Sequence, residues 1–260
     1  MRVSIVLEQR FSKTADGHIR SPSGVCAYKF WQRYLEVFDS VNVVARVLKN
    51  APNVECSRES CDDRADGEGV SFSCIPHFIG PHEYFFKARE IRRALRQAIR
   101  PDDAVILRTP GTLSGCLQPY LQKIGHPYAV EVVGDPYDVF APGAVKHPLR
   151  PLFRQLFSRN LRRQCDKARA CSYVTERMLQ LRYPPGADSF STHYSSIELP
   201  AEAIAETAPS IDPDKNSFTI IHVGALAQLY KAPDVLIDAV ARCAGEGMDV
   251  RLVMIGDGQA

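Results

Sequence analysis

Three stretches near the C-terminal end decide the fold: Phe218-Thr219-Ile220-Ile221-His222-Val223-Gly224, then Lys231-Ala232-Pro233-Asp234, then Val250-Arg251-Leu252-Val253-Met254-Ile255-Gly256. Two short runs of apolar and β-branched residues flank a segment whose apolar residues recur at helical spacing. This pattern predicts one βαβ unit with parallel strands. Ligands of such units bind beyond the carboxyl ends of the strands, where glycines let a backbone approach closely.

The start of the intervening helix predicts a phosphate site. Pro233 fits the first helical turn, where its missing N–H has no intrahelical partner to lose. The free N–H groups and the positive dipole end of the helix, with Lys231 beside them, favour a phosphate-bearing ligand.

The order of these motifs resembles the donor-side domain of retaining GT-B glycosyltransferases of family 4 (group 1), of the bacterial polysaccharide-biosynthesis type. The matching positions are Val223-Gly224-Ala225-Leu226, Lys231-Ala232-Pro233-Asp234 and Gly256-Asp257-Gly258. The words Tyr173-Val174-Thr175-Glu176 and Arg182-Tyr183-Pro184-Pro185 are also similar to that family. The resemblance implies that Gly224, Lys231, Gly256, Asp257 and Gly258 bind the donor phosphates. Ala225 stands where the family usually has an Arg that shares this task with Lys231.

The resemblance also implies the fold class and the domains. We expect an α/β, GT-B-like chain with an acceptor-side Rossmann-like domain over residues 1–199, a linker over 200–217, and the start of a nucleotide-sugar-binding domain over 218–260. The family needs roughly a hundred further residues after Gly258, so we expect a truncated second domain and little activity from the 260-residue chain alone.

Composition narrows the class of protein. The net charge of +2 gives no basic field for nucleic acid, and 45% apolar residues can fill ordinary cores. The N-terminus enters a strand directly, and no stretch reaches a membrane-spanning length, so we expect a cytoplasmic protein. The eight cysteines include no Cys-x-x-Cys pair; they are either buried thiols or, for Cys56 and Cys61, part of a zinc site.

Alternating apolar runs predict the first domain as a parallel α/β sheet. We expect strands at 3–7, 41–47, 70–75, 104–108, 128–133 and 170–174. We expect helices over about 24–38, from after His82 to about 99, from 111 or 112 to 125, and over 146–169, with a further helix capped by Thr175. Polar residues from Glu8 to Ser23 predict a long loop between the first strand and the first helix.

Two loops of this domain carry candidate residues. By the resemblance, Asp16, Gly17, Ser23 and Gly24 lie in the loop that shapes the acceptor pocket; alternatively, Ser23 caps the first helix and Gly24 starts it. After the fifth strand, Gly134-Asp135 takes the place of a His-Asp pair whose His lies beside the transferred sugar. Gly134 cannot have that role. Asp135 either contacts substrate as a catalytic residue or only turns the loop.

Basic residues concentrate in two predicted helices. The first carries Lys87, Arg89, Arg92, Arg93, Arg96 and Arg100, and the second carries eight basic residues between Lys146 and Arg169. Each helix is either packed on the core with a solvated basic face, or it binds an anionic membrane; for the first helix, contact with an anionic acceptor is a further alternative.

The predicted chemistry is transfer of a sugar from a nucleotide-sugar donor to a saccharide or lipid-linked acceptor, as the resemblance implies, in cell-surface polysaccharide synthesis at the inner face of the membrane. Departure of the diphosphate builds negative charge, which Lys231 and the helix N-terminus can meet without a metal. No cofactor is expected: Asp212-Pro213-Asp214 lies in the linker, and neither Gly-x-Gly-x-x-Gly nor Gly-x-Ser-x-Gly occurs where such sites need it. The alternative is a non-catalytic module that binds a membrane or a partner.

Overall fold

A computed structural model describes residues 1–22, 25–48, 63–145, 147–195, 202, 204–207, 217–224, 226 and 231–256. The chain divides into two compact units. The first comprises Met1–Asp135 and Arg159–Ser196, and the second comprises Pro136–Ser158 and Ile197–Ala260. The boundary predicted at 199–218 falls mostly on residues outside the described ranges, so the domain limits remain a prediction.

Strands and helices alternate along the chain. The strands are β1 (Arg2–Lys13), β2 (Ile19–Arg20), β3 (Ser40–Leu48), β4 (Val70–Pro76), β5 (Ala104–Thr109), β6 (Ala129–Val132), β7 (Ala170–Tyr173), β8 (Phe190–His193), β9 (Ser217–Val223) and β10 (Asp249–Ile255). The helices are α1 (Tyr28–Leu35), α2 (Gly80–Ala98), α3 (Thr112–Lys123), α4 (Pro136–Val139), α5 (Arg150–Lys167), α6 (Met178–Arg182) and α7 (Pro233–Gly245).

The first unit is built on one sheet in which β1 is an interior strand between β3 and β5. Its strand order is β4-β3-β1-β5-β6-β7-β8, and every neighbouring pair in that path is parallel. β1 pairs with β3 through Val3↔Val41 and with β5 through Val3↔Ala104. The parallel strands place all their carboxyl ends at one edge, where ligands of such sheets usually bind.

Both faces of the sheet are covered by apolar side chains, which is why the strands read as continuous apolar runs. On one face, α1 packs Trp31 and Tyr34 against Ile5 and Val43. On the other, α2, α3 and the Arg159–Lys167 part of α5 pack residues such as Ile91, Leu117 and Leu161 against the strands. Trp31, Ile91 and Leu161 are all at most 1% exposed.

The loop predicted over Glu8–Ser23 is wrong in its first half. β1 continues to Lys13, turns, and pairs antiparallel with β2 through Ser12↔Arg20. Phe11 explains the extension, because this aromatic side chain is only 1% exposed and its ring packs edge-on against Phe72 at 5.0 Å. Burial of this one aromatic residue, whose neighbours in sequence are polar, thus extends β1 beyond the apolar run predicted at 3–7.

The other predicted strands and helices of this unit are present, with shifted ends. α1 begins at Tyr28, and α5 begins at Arg150. Thr175 is not the N-cap of α6, because the helix begins at Met178 and Arg177 takes the cap position. The Thr175 hydroxyl nevertheless accepts a hydrogen bond from Leu179 N at 3.0 Å. β8 was not predicted: each of its four residues is exposed, so its sequence lacks an apolar alternation to reveal it.

The second unit contains the predicted βαβ arrangement. β9 and β10 are parallel, with Phe218↔Val250 and Val223↔Ile255 as the ends of their apolar register, and α7 lies between them in the chain. Several apolar side chains of these elements are exposed, among them Ile221 at 63%, Val223 at 73% and Val235 at 62%.

No helix in the described part of the chain has both the length and the apolar character needed to cross a bilayer.

Candidate functional site

The carboxyl ends of β9 and β10 meet in the second unit. Gly224 donates its N–H to the carbonyl of Ile255 at 3.0 Å, so the chain leaving β9 remains attached to the end of β10. A Cβ added to Gly256 would overlap the carbonyl oxygen of Gly224. Glycine is therefore required at position 256 by the close approach of the two backbones. Gly224 and Gly256 therefore lie together at one sheet edge, while their part in donor binding stays a prediction.

The same edge receives the N-terminus of α7. Ala232, the residue before the helix, has the left-handed backbone angles φ 53° and ψ 42°, and Pro233 occupies the first turn. In the described residues, Ala232 provides no side-chain cap for the helix N–H groups. Those groups and the positive end of the helix dipole can therefore receive an anion.

Lys231 lies two residues before the first residue of this helix and is exposed. Its ammonium belongs to the same segment as the left-handed turn at Ala232, next to the helix N-terminus. Asp257 and Gly258, which the resemblance also assigns to phosphate binding, lie outside the described residues, as does Ala225. Among the predicted donor residues, the structure thus describes Gly224, Lys231 and Gly256.

His222 is a polar residue at this edge that the sequence interpretation did not select. Its Nε2 is buried without a hydrogen-bond partner among the described residues, and it lies 3.5 Å from the position that a Cβ on Gly224 would take. The sequence could have indicated His222, because it is the one ionisable residue within the apolar run of β9. A ligand at the strand ends could supply the missing partner for this ring nitrogen.

In the first unit, Asp135 follows β6 at the carboxyl edge of the sheet. Tyr183 donates its phenolic hydrogen to Asp135 Oδ1 at 2.6 Å, and Arg182 forms an ion pair with Oδ2. The Asp135 side chain is 15% exposed, so both oxygens are held in a mostly buried position. The carboxylate is therefore pre-positioned by α6 and the residue that follows it.

Asp16 and Gly17 form the turn between β1 and β2. The Thr14 hydroxyl and the His18 N–H both donate to Asp16 Oδ1, and Gly17 adopts φ +88°. The bond from Thr14 and then that from His18 lower the pKa of Asp16 below its usual range. These contacts give Asp16 a turn-forming role in the structure. Ser23 and Gly24, the other two acceptor-loop candidates, lie outside the described residues.

The N-terminus of α3 also lies at the carboxyl edge, but a carboxylate of the protein occupies it. Glu8 Oε1 accepts the N–H of Leu113 at 2.6 Å, and Glu8 Oε2 pairs with Arg46 at 2.7 Å. Burial lowers the pKa of Arg46, an effect that the charge of Glu8 opposes. The sequence interpretation placed Glu8 in a loop and did not find this cap, whose two partners are 105 residues apart.

A second charged cluster connects α1 with the sheet. Arg108 of β5 pairs with Glu131 of β6 at 2.9 Å, and Glu131 also accepts a hydrogen bond from Tyr34 at 2.7 Å. Burial and then the charge of Glu131 raise the pKa of Tyr34, so this phenol stays protonated. Arg33 lies 4.0 Å from the centroid of the Phe30 ring. The ion pair and the hydrogen bond in this cluster compensate the partly buried charges of Arg108 and Glu131.

We compared the chain with known protein families, sequences and solved structures. No family model matches the chain. Protein CapJ of Staphylococcus aureus is 29% identical over 233 residues, which cover 89% of this chain and 56% of CapJ. The chain therefore spans little more than half the length of this curated relative.

Solved structures show the fold. A UDP-forming α,α-trehalose-phosphate synthase of Burkholderia vietnamiensis is similar with a TM-score of 0.51 and 14% identity, over 100% of this chain and 64% of the synthase. An α,α-trehalose 6-phosphate synthase of Burkholderia multivorans is similar with a TM-score of 0.50 and 13% identity, over 100% and 64%. The predicted α/β, GT-B-like fold is confirmed.

Proposed function

We propose that this chain takes part in the transfer of a sugar from a nucleotide-sugar donor to a hydroxyl of a saccharide or lipid-linked acceptor. The observation that carries this proposal is the edge of the βαβ unit, where Gly224 and Gly256 converge and α7 begins beside Lys231. The GT-B-like fold and the similarity to protein CapJ support it. The retention of configuration and the part in cell-surface polysaccharide synthesis are carried over from the family 4 resemblance.

The chemistry follows from the charge that develops at the leaving group. The bond between the anomeric carbon and the diphosphate oxygen breaks, the acceptor oxygen forms the new glycosidic bond, and the acceptor hydroxyl releases its proton. Negative charge grows on the diphosphate during this step. An ammonium at Lys231 and the N–H groups of α7 stabilise that charge, and the helix holds the N–H groups in place before the reaction begins.

Acceptor-side roles are assigned to the first unit. Asp135, with its carboxylate held by Tyr183 and Arg182, is a catalytic candidate, and Asp16, Gly17, Ser23 and Gly24 are candidates for shaping the acceptor pocket. In this proposal the reaction needs no cofactor or metal. It takes place in the cytoplasm, at the inner face of the membrane when the acceptor is lipid-linked.

The alternative is a non-catalytic module that keeps the same fold and binds a membrane or a partner. Donor binding separates the two functions, since a module without transferase chemistry has no need of a diphosphate site. Calorimetry is a better readout than intrinsic fluorescence, because Trp31 is fully buried in the first unit and would report poorly on a ligand in the second.

The test is isothermal titration of the chain with uridine, guanosine and adenosine diphosphates. Lys231→Ala is expected to weaken binding of the preferred diphosphate by roughly 30-fold, as loss of one charge-assisted contact of about 2 kcal/mol requires. Arg242→Ala is the matched control, because Arg242 is an exposed cation in the last turn of the same helix.

Two results would contradict the proposal. One is equal loss of affinity in the Lys231 and Arg242 variants, which would indicate a general charge effect. The other is no binding of any of the three diphosphates by the unaltered chain.

A further inference from the structure

The outer face of α2 combines exposed aromatic rings with unpaired cations. Phe85 is 77% exposed and Phe86 is 73% exposed, while the opposite side of the helix buries Ile91 and Leu95 in the core. Large apolar side chains that stay exposed next to each other on a well-packed helix mark an interaction surface. The burial of Ile91 and Leu95 fixes the orientation of the helix, so the exposure of the two rings does not result from loose packing.

The spacing of the residues places the cations on the same face. His82, Phe86, Arg89 and Arg93 follow one another at intervals of four, three and four, which is one stripe of an α-helix. All four are exposed. We call this stripe, together with Phe85, the α2 surface. In the described part of the chain, neither Arg89 nor Arg93 forms an ion pair.

Two acidic residues also lie on α2. Glu83 accepts the N–H of Ile79 at 3.0 Å and lies 3.9 Å from Lys87, so it caps the helix and balances a cation outside the stripe. Glu90 is four residues from Phe86 and three from Arg93, so it borders the stripe. The α2 surface thus carries two arginines beside one carboxylate, and the helix as a whole has five basic and two acidic side chains, so both have a net positive charge.

We propose that the α2 surface docks this protein on anionic membrane lipid, with Phe85 and Phe86 inserted at the headgroup boundary and Arg89 and Arg93 on lipid phosphates. Charge complementarity selects this occupant: aromatic rings at one end of a basic stripe fit an interface that is apolar beneath and negative at its surface. Membrane docking does not require sugar transfer. The vesicle-binding test can therefore fail while the donor-binding test succeeds, and the reverse.

From the sequence alone, the basic helix predicted over 146–169 was at least as good a candidate for membrane docking as α2. In the structure, Arg150 donates to the carbonyl of Phe140 at 2.9 Å, and Arg154 donates to that of Tyr137 at 2.8 Å and stacks on its ring. Those two cations are engaged within their own unit. The exposed side chains Leu152 and Leu156 of α5 therefore provide a useful comparison surface.

The experiment is flotation of the chain with vesicles of phosphatidylcholine alone and with roughly one third phosphatidylglycerol, which sets the anionic surface charge. The unaltered chain is expected to float only with the anionic vesicles. Arg89→Gln/Arg93→Gln is expected to weaken binding by roughly 30-fold, since each cation near the surface contributes about 1 kcal/mol. Phe85→Ser/Phe86→Ser is expected to lose binding by at least tenfold because no ring inserts.

Matched variants control for charge and for the other surface. Lys123→Gln/Arg169→Gln removes two exposed cations elsewhere in the same unit, and Leu152→Ser/Leu156→Ser removes the apolar stripe of α5. Both are expected to bind anionic vesicles within about twofold of the unaltered chain, and thermal melting is expected to show that all four variants fold.

Three results would overturn the proposal. They are equal binding to neutral vesicles, equal losses in the α2 and control variants, and a change of oligomeric state in the Phe85→Ser/Phe86→Ser variant without a change in flotation. The last would show that the α2 surface contacts a second copy of the chain.

Discussion

Tyr183 donates a 2.6 Å hydrogen bond to the carboxylate of Asp135, and its own backbone carbonyl accepts one from Tyr173 Oη at 2.8 Å. Tyr183 and Tyr173 are both fully buried. A single buried residue therefore connects the loop after β6, the strand β7 and the end of α6. The position of Asp135, the acceptor-side catalytic candidate, depends on this connection.

The two phenols offer a matched comparison of hydrogen-bond strength. Tyr183→Phe is expected to lower the free energy of unfolding by about 2 kcal/mol, because a hydrogen bond to a carboxylate is stronger than one to a neutral carbonyl. Tyr173→Phe removes the neutral bond and is expected to lower it by about 1 kcal/mol. Urea unfolding followed by Trp31 fluorescence measures both; the reverse order would contradict the charged character of the Asp135 contact.

Asp103 predicts a dependence of stability on pH. Its side chain is 1% exposed and is held by Arg2 Nη2 at 2.6 Å, Ser4 Oγ at 2.7 Å and Arg100 N at 3.0 Å. Burial alone would raise the pKa of Asp103. The hydrogen bonds, above all that from Arg2, together have the larger effect and bring the pKa below its ordinary value of 3.8. Because the folded-state pKa is lowered, the stabilisation is present above 3.8 and is lost as the pH falls through the folded-state pKa.

Asp103→Asn is therefore expected to lower the free energy of unfolding by roughly 3 kcal/mol at pH 7, as loss of a buried ion pair predicts, and by progressively less in strong acid. Urea unfolding between pH 7 and pH 2 checks this. Asp102→Asn is the control, since the neighbouring Asp102 is exposed and is expected to have little effect. A constant difference between wild type and Asp103→Asn down to pH 2 would exclude the linkage.

Gly256 predicts a local loss of stability at the donor edge. In Gly256→Ala the new Cβ would overlap the Gly224 carbonyl, so the strand ends must separate at a cost of about 1–3 kcal/mol. Faster hydrogen exchange in β9 and β10 is the expected measurement, with weaker diphosphate binding. Gly245→Ala is the control, because nothing lies within 4 Å of its added Cβ and alanine favours a helix. Equal protection in both variants would refute the requirement for glycine.

The sequence was sufficient to predict the strands and helices that are specified by residues close together in the chain. The run at Val41–Val47 is largely apolar because β3 is buried on both faces of the sheet. Pro233 marks a helix start because its ring fits the first helical turn. The sequence failed where one residue overrides its neighbours, as Phe11 does in extending β1, and where an exposed strand such as β8 has no apolar period.

The sequence by itself determined the parallel α/β class, the order of the strands and helices other than β2, β8 and α4, and the glycines at the ends of β9 and β10, since backbone preference and apolar periodicity act over a few residues. Only the tertiary structure decided that Glu8 occupies the N-terminus of α3, that Tyr183 holds Asp135, and that Phe85 and Phe86 remain at the surface of α2. The physical reason is distance along the chain. Hydrogen bonds between residues 105 or 48 positions apart, and the burial of one helix face over another, depend on strand order and register, which no local window of sequence contains.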